Sequence, residues 1–432
     1  MKIGFISLGC AKNLVDSEMI LGILNQAGCE IVSDPEEADA IFINTCGFIE
    51  SAKKETLDTI NEMKIYNKKL IVTGCYAKRY KEKLEKEMPF IDKVITLQDY
   101  PKIHLILNDL FAEDHIKFSP LRYENRLLTT SNHSPYVKIG EGCNNNCTYC
   151  AIPLIRGKFR SKPFDEVVSE CKLLAKNGAK EINLISQDTS RYGSDFDLNH
   201  QSQLHKLIQK VSEIEDIEMI RVLYLYPDEI TDDLIKEIKT NSKAMAYFDI
   251  PIQHISNRVL KKMNRRGSQA LIKNVLDKIR NEIPEAIIRT TYIVGFPGET
   301  EEDFQELYDF TENYEFDRLG VFAYSKEEDT KAYYMEDQVP DDIKEERLDK
   351  IMRLQKKIAR KVNKKQVGNI HKTLIENYDP ETKFYYGRSY AFAPDDIDGM
   401  IVFQSEKPIE IGDIVEVKIT TIFGHDLIGD AL

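Results

Sequence analysis

The sequence predicts an α/β protein with an N-terminal parallel-sheet domain, a central partial β/α barrel of the TIM-like kind, and a small C-terminal all-β barrel. Strand-like and helix-like segments alternate from residue 1 to about 105, and again from 135 to about 330. Such alternation is typical of parallel sheets. One long amphipathic helical segment follows, and short strands and turns occupy the end of the chain.

The N-terminal domain is predicted over residues 1–105. Its expected elements, in chain order, are the strand 2–8, the helix 16–27, the strand 40–44, the helix 51–64 and the strand 69–73. Asp16 or Ser17 would cap the first helix, since short polar side chains accept hydrogen bonds from free backbone N–H groups. A polar connector without periodicity is predicted over 106–134.

The central domain is predicted over residues 135–365. Its expected strands are 136–139, 181–186, 219–226, 247–251, 287–294 and 319–324. Six strands with helices between them fit an open or partial barrel. A helix over 341–367 would end before Gly368, a good helix stop. The remaining residues, 366–432, predict the small β barrel.

Composition limits the compartment and the partners. The 432 residues carry a net charge of −13, which argues against general nucleic-acid binding and suits a basic partner. No apolar run reaches membrane-spanning length, so no membrane association is expected. The first strand is too short in its apolar part for an export signal, which predicts a cytoplasmic protein whose eight cysteines are not disulfides.

Three closely spaced cysteines, Cys143, Cys147 and Cys150, follow the first barrel strand. Thiolates hold iron–sulfur clusters, and three ligands leave one iron of a four-iron cluster open for chemistry. A ferredoxin-type carrier would need a fourth ligand, but Cys171 lies 21 residues on, in an apolar helix pattern. A structural zinc site would need a second cysteine pair. The cluster interpretation is therefore favoured.

A second set, Cys10, Cys46 and Cys75, has one cysteine just past each predicted N-terminal strand. The carboxyl ends of parallel strands share one edge, where ligands collect. Three buried structural cysteines are the alternative, because free cysteine is often buried. Cys29, at a helix end away from this edge, is expected to be structural. The matching positions favour a second cluster, again with one open iron.

The motifs resemble the methylthiotransferase family of radical S-adenosylmethionine enzymes over the whole chain. The cysteine loop with Tyr149 before its last cysteine is similar to the superfamily motif. Gly9-Cys10-Ala-Lys-Asn13, Asn44-Thr-Cys46 and Gly295-Phe-Pro-Gly-Glu299 resemble family motifs. The resemblance implies a radical core, a C-terminal OB-like TRAM domain, two 4Fe-4S clusters and S-adenosylmethionine, with replacement of C–H by C–S–CH3.

The resemblance also assigns site residues and an electron requirement. Tyr149 and Gln187 would contact the adenine and methionine ends of the cofactor, and Gly295 and Glu299 belong to its adenine motif. In the family, an external electron donor reduces the first cluster. The resulting cleavage yields a 5′-deoxyadenosyl radical that abstracts hydrogen from unreactive carbon. A second cofactor molecule methylates sulfur at the N-terminal cluster.

The substrate is predicted from a short motif and from charge. The segment from Ser7 to Asn13 resembles the branch that modifies an aspartate β-carbon in small-subunit ribosomal protein twelve, whereas the tRNA branch usually has Gln-Met after the cysteine. Residues 366–432 hold five Lys/Arg and twelve Asp/Glu, a net charge of −7 that suits a basic protein. The densest acidic group there, which we expect to bind substrate, is Asp395, Asp396 and Asp398.

Other interpretations stay open from sequence alone. Residues 344–365 carry a net charge of +7, so this helix could contact ribosomal RNA, although a solvated face is the commoner meaning. His254 ends the fourth barrel strand and either faces the pocket or is structural. The alternative functions are a tRNA adenosine methylthiotransferase and a non-catalytic iron–sulfur scaffold or sensor.

Overall fold

A computed structural model describes residues 1–394 and 397–432 of the chain. Within them, the strands are β1 (Lys2–Ser7), β2 (Glu30–Val32), β3 (Ala40–Thr45), β4 (Lys69–Thr73), β5 (Lys93–Ile95), β6 (Tyr136–Lys138), β7 (Gly140–Glu141), β8 (Arg160–Ser161), β9 (Glu181–Ile185), β10 (Met219–Val222), β11 (Tyr247–Asp249), β12 (Ile287–Val294), β13 (Arg318–Ala323), β14 (Ile370–Asp379), β15 (Phe384–Arg388), β16 (Ile401–Gln404), β17 (Ile414–Phe423) and β18 (Asp426–Ala431).

The α-helices of the described residues are α1 (Ala11–Gln26), α2 (Glu50–Met63), α3 (Gly74–Arg79), α4 (Lys81–Glu87), α5 (Ile103–Leu110), α6 (Ile152–Arg156), α7 (Phe164–Lys176), α8 (Leu204–Ser212), α9 (Asp232–Thr240), α10 (Asn257–Lys262), α11 (Gln269–Glu282), α12 (Glu301–Tyr314) and α13 (Asp341–Lys364). None of these helices combines the length and the apolar composition that crossing a membrane requires. The mixed α/β class predicted from the sequence is confirmed.

The chain forms two compact units, each built from several segments. The first contains residues 1–130, 141–160 and 325–333, and the second contains 131–140, 161–324 and 334–432. The cysteine loop therefore belongs to the same unit as the N-terminal sheet. The domain boundaries near 105, 134 and 365 stay a prediction.

A five-stranded parallel sheet forms the centre of the first unit, in the order β2-β1-β3-β4-β5. The central strand β3 is buried along all six residues, as expected for a strand with helices on both faces. One core, around Ile3 and Phe42, lies on one face, and the other, around Ile43 and Val72, lies on the opposite face.

The first helix begins earlier than predicted. α1 starts at Ala11, immediately after Cys10, so the expectation that Asp16 or Ser17 caps it is wrong. Both side chains are instead buried within the helix, where they bind neighbouring elements. The Ser17 hydroxyl lies 2.7 Å from the Ser7 hydroxyl. These polar positions interrupt the apolar stripe, and for that reason the sequence pattern placed the start of the helix too late.

The second unit contains the partial barrel. β6, β9 and β10 form one parallel sheet, and β11, β12 and β13 form another. The two sheets are joined between β10 and β11 by a bridge from Ile220 to Ala244 and by the Leu225 N–H, which donates to the Asp249 carbonyl at 2.8 Å. Six parallel strands thus follow one another in chain order, which confirms the predicted barrel.

The C-terminal strands of the second unit close into a separate barrel in the order β14-β15-β16-β18-β17. Only β16 and β18 pair in parallel among these described strands. This confirms the small all-β barrel. The long helix α13 precedes it and buries Ile351, Leu354 and Ile358 on one face, as its predicted apolar stripe requires.

A buried ionic cluster joins the small barrel to β9 and β10. The Glu181 carboxylate accepts hydrogen bonds from Arg388 Nη2 at 2.7 Å, Arg221 Nε at 2.9 Å and the Ser134 hydroxyl at 2.6 Å. Burial opposes ionisation of Glu181, but the Arg388 and Arg221 guanidiniums outweigh it and lower the pKa to about 2. The carboxylate therefore remains charged inside the unit.

We expect Glu181→Gln to lower the free energy of unfolding by about 3–5 kcal/mol, because the buried Arg221 and Arg388 guanidiniums both lose this carboxylate, and Arg388 keeps only Glu376. Wild type should lose the Glu181 contribution as pH falls from about 4.5 towards about 2, since the folded pKa lies below the unfolded one. Urea titrations at several pH values measure both effects. An unchanged pH dependence in the variant would contradict this assignment.

Candidate functional site

Three cysteines meet at the carboxyl edge of the N-terminal sheet. Cys10 follows β1, Cys46 follows β3, and Cys75 lies in the first turn of α3 directly after β4. The register that pairs Ser7 with Asn44 and Asn44 with Thr73 sets these strand ends side by side. The sequence prediction that the three thiols share one edge is consistent with this register.

Gly9 permits the closest approach at this edge. Its φ is +94°, and a Cβ there would lie 2.9 Å from the Cys46 Cβ and 3.1 Å from the Cys46 sulfur. A larger residue would therefore clash with Cys46 and strain the backbone as well. The glycine before Cys10 is thus explained by the convergence of two strand ends.

Asn13 ties these ends together. Its amide donates to the Leu8 carbonyl at 2.8 Å and to the Thr45 carbonyl at 3.0 Å. The Asn44 amide in turn donates to the Asn13 carbonyl at 2.8 Å. Asn13 is 1% exposed and Asn44 is fully buried, so these bonds are shielded from water. The Asn residues of both motifs hold the loops that carry Cys10 and Cys46.

Arg156, on α6 beyond the cysteine loop, reaches the same edge and is 5% exposed. Its Nη2 lies 3.4 Å from the Cys75 sulfur, 2.9 Å from Asn13 Oδ1 and 3.0 Å from Asp16 Oδ2. Its Nη1 donates to Glu141 Oε1 at 2.9 Å. Two carboxylates, one amide and one sulfur thus surround a single guanidinium.

The Cys75 thiol is poorly ionised by itself. Burial raises its pKa to about 12, although the Arg156 guanidinium opposes the rise. A metal ligand must be a thiolate, and coordination to iron supplies the charge that deprotonates such a buried thiol. The Cys10 and Cys46 thiolates would also raise this pKa.

The loop from Cys143 to Cys150 folds back on itself within the first unit. The backbone N–H groups of Asn145 and Ile152 donate to the sulfurs of Cys143 and Cys150, each at 3.5 Å. The three cysteines of the loop are half-buried, beside an open pocket of about 480 Å³ at Cys143. N–H groups directed at sulfur stabilise thiolates, so this donor set suits an iron–sulfur cluster.

Both sites offer sulfur donors rather than a mixed set of ligands. Among the described residues, no three His, Cys, Asp or Glu side chains, the two cysteine sets included, form a group that could hold a metal ion. Soft thiolate ligands select iron–sulfur clusters in preference to hard cations. The donor chemistry of both cysteine sets therefore fits clusters.

The four residues predicted to contact S-adenosylmethionine divide between the units. Tyr149 is half-buried in the cysteine loop of the first unit. In the second unit, Gln187 is half-buried at the carboxyl end of β9, while Gly295 and Glu299 lie in the turn after β12. The cofactor contacts of these four residues stay a prediction.

Gly295 and Glu299 also have contacts with α13 that the sequence did not reveal. Gly295 has a φ of +70°, and a Cβ there would lie 2.2 Å from Lys344 Cγ. Glu299 accepts hydrogen bonds from Arg347 Nη1 at 2.8 Å and from the Phe296 N–H at 3.2 Å. Burial raises the pKa of Glu299, against the effect of Arg347. The long helix therefore fixes this turn.

His254 is structural rather than exposed to a pocket. It is fully buried, and its Nδ1 accepts a hydrogen bond from the Ser256 N–H at 3.0 Å. Burial, together with Arg347 and Arg258, lowers its pKa to about 3, so the ring is neutral near pH 7. Its Nε2 lies 3.6 Å from Glu299 Oε2. Burial favours the structural alternative for this histidine, but its Nε2 has no hydrogen-bond partner among the described residues.

The acidic group of the small barrel requires a correction. Asp395 and Asp396 lie outside the described residues. Asp398 is 5% exposed, and its carboxylate accepts hydrogen bonds from the Tyr247 hydroxyl and from the Ala393 N–H, the latter at 3.0 Å. The prediction that Asp398 offers an exposed charge to substrate is therefore wrong. Asp398 instead anchors its loop to β11.

Three family models match the chain. Residues 2–96 match Uncharacterized protein family UPF0004, residues 137–311 match the Radical SAM superfamily, and residues 367–432 match the TRAM domain. A solved structure of TsrM, a radical S-adenosylmethionine methyltransferase from Kitasatospora setae, has a TM-score of 0.56 at 11% identity, over 93% of this chain and 85% of that one. Fold and site together define a radical S-adenosylmethionine enzyme.

Curated relatives narrow the class. Ribosomal protein uS12 methylthiotransferase RimO of Acetivibrio thermocellus is 48% identical over all of this chain and 98% of the relative. RimO of Clostridium novyi is 50% identical over 99% of this chain and 97% of the relative. The chain belongs to the RimO family of radical S-adenosylmethionine methylthiotransferases. The family resemblance drawn from the sequence motifs is confirmed.

The two cysteines outside both sets offer a control. Cys29 is 4% exposed in the core of the first unit, and Cys171 is fully buried on α7. We expect Cys29→Ala or Cys171→Ala to cost about 1 kcal/mol of stability and to leave cluster absorbance unchanged. Visible spectra and urea titrations of the reconstituted variants test this. Loss of cluster absorbance would identify either residue as a ligand.

Proposed function

We propose that the protein replaces a C–H bond at the β-carbon of an aspartate in ribosomal protein uS12, the small-subunit ribosomal protein twelve, with a methylthio group. The observation that carries the proposal is the presence of two three-cysteine sets in one compact unit. One set, Cys10, Cys46 and Cys75, lies at the edge of the sheet. The other, Cys143, Cys147 and Cys150, lies on one loop.

Each set would hold one 4Fe-4S cluster with an open iron. When bound, the clusters and S-adenosylmethionine supply a carbon radical at the loop and a methylated sulfur at the sheet edge. The two cysteine sets are linked by apolar packing. Ala151 and Ile155, just beyond Cys150, pack with Cys75 in one buried group. This packing keeps the loop beside the sheet edge and shields Cys75 from water.

The residues proposed to contact S-adenosylmethionine are Tyr149, Gln187, Gly295 and Glu299. The Glu299 carboxylate accepts hydrogen bonds from Arg347 and from the Phe296 N–H. These bonds would fix the loop that lines the cofactor. The radical core would comprise residues 135–365, joined by a connector over 106–134 to the N-terminal domain over 1–105.

A basic protein substrate is supported by the small barrel over 366–432. Exposed acids there include Glu406, Glu410 and Glu416. Arg388, one of its few basic residues, is buried against Glu181. The tRNA adenosine methylthiotransferase and the non-catalytic scaffold or sensor are not favoured, because the relatives at 45–50% identity are named for uS12.

RNA contact is assigned to a different element. On α13, Lys356, Lys357, Arg360 and Lys364 are exposed, and could neutralise phosphates of ribosomal RNA when uS12 is part of the ribosome. An external electron donor would reduce the radical cluster. A cytoplasmic location, where such donors and ribosomes occur, completes the proposal.

Replacing Cys10, Cys46 and Cys75 by Ala should separate the two half-reactions. The variant should still form 5′-deoxyadenosine, because the loop cysteines are intact, but it should give no methylthio product. Mass analysis of uS12 and chromatography of the nucleoside measure both. Iron should fall from about eight to about four atoms per chain. The Cys29→Ala, Cys171→Ala double variant is the matched control.

Normal methylthio product from the soluble triple variant would disprove the second cluster. Detection of the methylthio product on tRNA instead of uS12 would favour the tRNA adenosine methylthiotransferase. Absence of 5′-deoxyadenosine from wild type under reducing conditions would favour the non-catalytic scaffold. Circular dichroism of the triple variant verifies that loss of product does not reflect unfolding of the sheet edge.

Neutralising exposed acids of the small barrel should weaken the encounter with uS12. We expect the triple variant Glu406→Gln, Glu410→Gln, Glu416→Gln to associate with isolated uS12 more slowly than wild type. This difference in association rate should shrink at high salt, because salt screens exposed charges beyond about 8–10 Å. Binding kinetics at two salt concentrations measure this.

The matched control changes three exposed acids outside that barrel, Glu215→Gln, Asp216→Asn and Glu312→Gln. Because it removes the same net charge, a general effect of protein charge would slow both variants equally. Equal rates for all three proteins would remove the barrel from substrate recognition. Uncoupled cofactor cleavage should be unchanged in both variants, since neither alters the cysteine sites.

A further inference from the structure

Arg156 occupies the junction of the two cysteine sets. It follows Cys150 by six positions on the chain, yet its guanidinium lies 3.4 Å from the sulfur of Cys75 in the other set. The groups that bind it come from α1, from α3 and from β7, the strand before the loop.

Two carboxylates lie next to the Arg156 guanidinium. Asp16 Oδ2 at 3.0 Å and Glu141 Oε1 at 2.9 Å bring two negative charges to one positive charge. Asp16 is buried, whereas the Glu141 side chain is 28% exposed. Arg156 thus links these two carboxylates beside the Cys75 sulfur.

We infer that Arg156 is a positioning residue that raises the reduction potential of the cluster held by Cys10, Cys46 and Cys75. The inference rests on the proposed function, which places a cluster there. A cationic N–H donor at a ligating sulfur stabilises the extra negative charge of the reduced cluster. Without Arg156, Asp16 and Glu141 would destabilise that reduced form.

The same contacts give Arg156 its positioning role. Its bond to Asn13 Oδ1 at 2.9 Å connects α6 to the amide that holds the ends of β1 and β3. Its bonds to Glu141 span the cysteine loop, from the strand before Cys143 to the helix after Cys150. One side chain thus fixes the loop and the sheet edge together.

The test uses the full chain with Cys143, Cys147 and Cys150 changed to Ala, so that only the N-terminal cluster contributes a spectroscopic signal. In this background, Arg156→Gln should lower the reduction equilibrium constant at least tenfold, a shift of about 59 mV to lower potential for a one-electron couple. Potentiometric titration followed by electron paramagnetic resonance measures the shift.

Glu141→Gln provides a test of opposite sign. It removes one negative charge near Arg156 and should raise the potential. This variant still tests the inference if Arg156→Gln fails to retain its cluster. The Glu141 side chain is partly exposed and its replacement is isosteric. A potential that falls or stays constant in Glu141→Gln would overturn the inference.

Arg126→Gln is the matched control. Arg126 makes a similar buried pair in the same unit, with Nε 2.9 Å from Glu18 Oε2, and its side chain is 2% exposed. Its loss should reduce stability without moving the potential. A shift of equal size in Arg126→Gln and Arg156→Gln would assign the effect to general destabilisation and overturn the inference.

Iron analysis separates this inference from the function on which it rests. About four irons in the background variant, with a shift in Arg156→Gln, support both. About four irons with an unchanged potential in Arg156→Gln overturn the role of Arg156 and leave the proposed function intact. A background variant without any cluster overturns both.

Discussion

Parallel pairing of β1, β3 and β4 is the constraint on which the candidate site depends. Parallel strands end at one edge of a sheet. This edge therefore brings together three cysteines that are distant in the sequence, Cys10, Cys46 and Cys75. Antiparallel pairing of any one strand would carry its cysteine to the opposite edge. The buried side-chain amides of Asn13 and Asn44 then fix the loops at that edge through hydrogen bonds.

Buried charge complements this constraint in each unit. Arg156 in the first unit and Glu181 in the second are nearly excluded from water, and each is surrounded by groups of opposite charge. Desolvated ions cost free energy unless they are paired, so such groups fix the elements around them more than they add to stability. The pair between Arg347 and Glu299 acts similarly, since it holds the turn after β12 against α13.

The sequence predicted the elements that repeat a strong pattern and missed those decided by tertiary contacts. The strand 69–73 and the six barrel strands lie where apolar runs placed them, except that β10 ends at Val222 and not at 226. β2 and β5, three residues each, carry too little pattern to detect. Arg156 and Arg347 could not be identified, because an isolated Arg in a helix is usually solvated. Asp398 was placed at the surface since nothing local reveals its partner, Tyr247.

The small barrel keeps a net negative charge at its surface, since one basic and one acidic side chain, Arg388 and Asp398, are both buried. Of its five basic residues, Arg388 is buried against Glu181, and the Lys372 ammonium lies 2.7 Å from Glu218, outside the barrel. Neither charge is fully available to a partner. Phosphate-rich RNA would therefore meet net negative charge at this barrel, whereas a basic protein would be attracted. A run of exposed basic residues, Lys356, Lys357, Arg360 and Lys364, lies on α13. Under the proposed function, a basic substrate protein presented by the ribosome beside RNA phosphates would complement both surfaces at once.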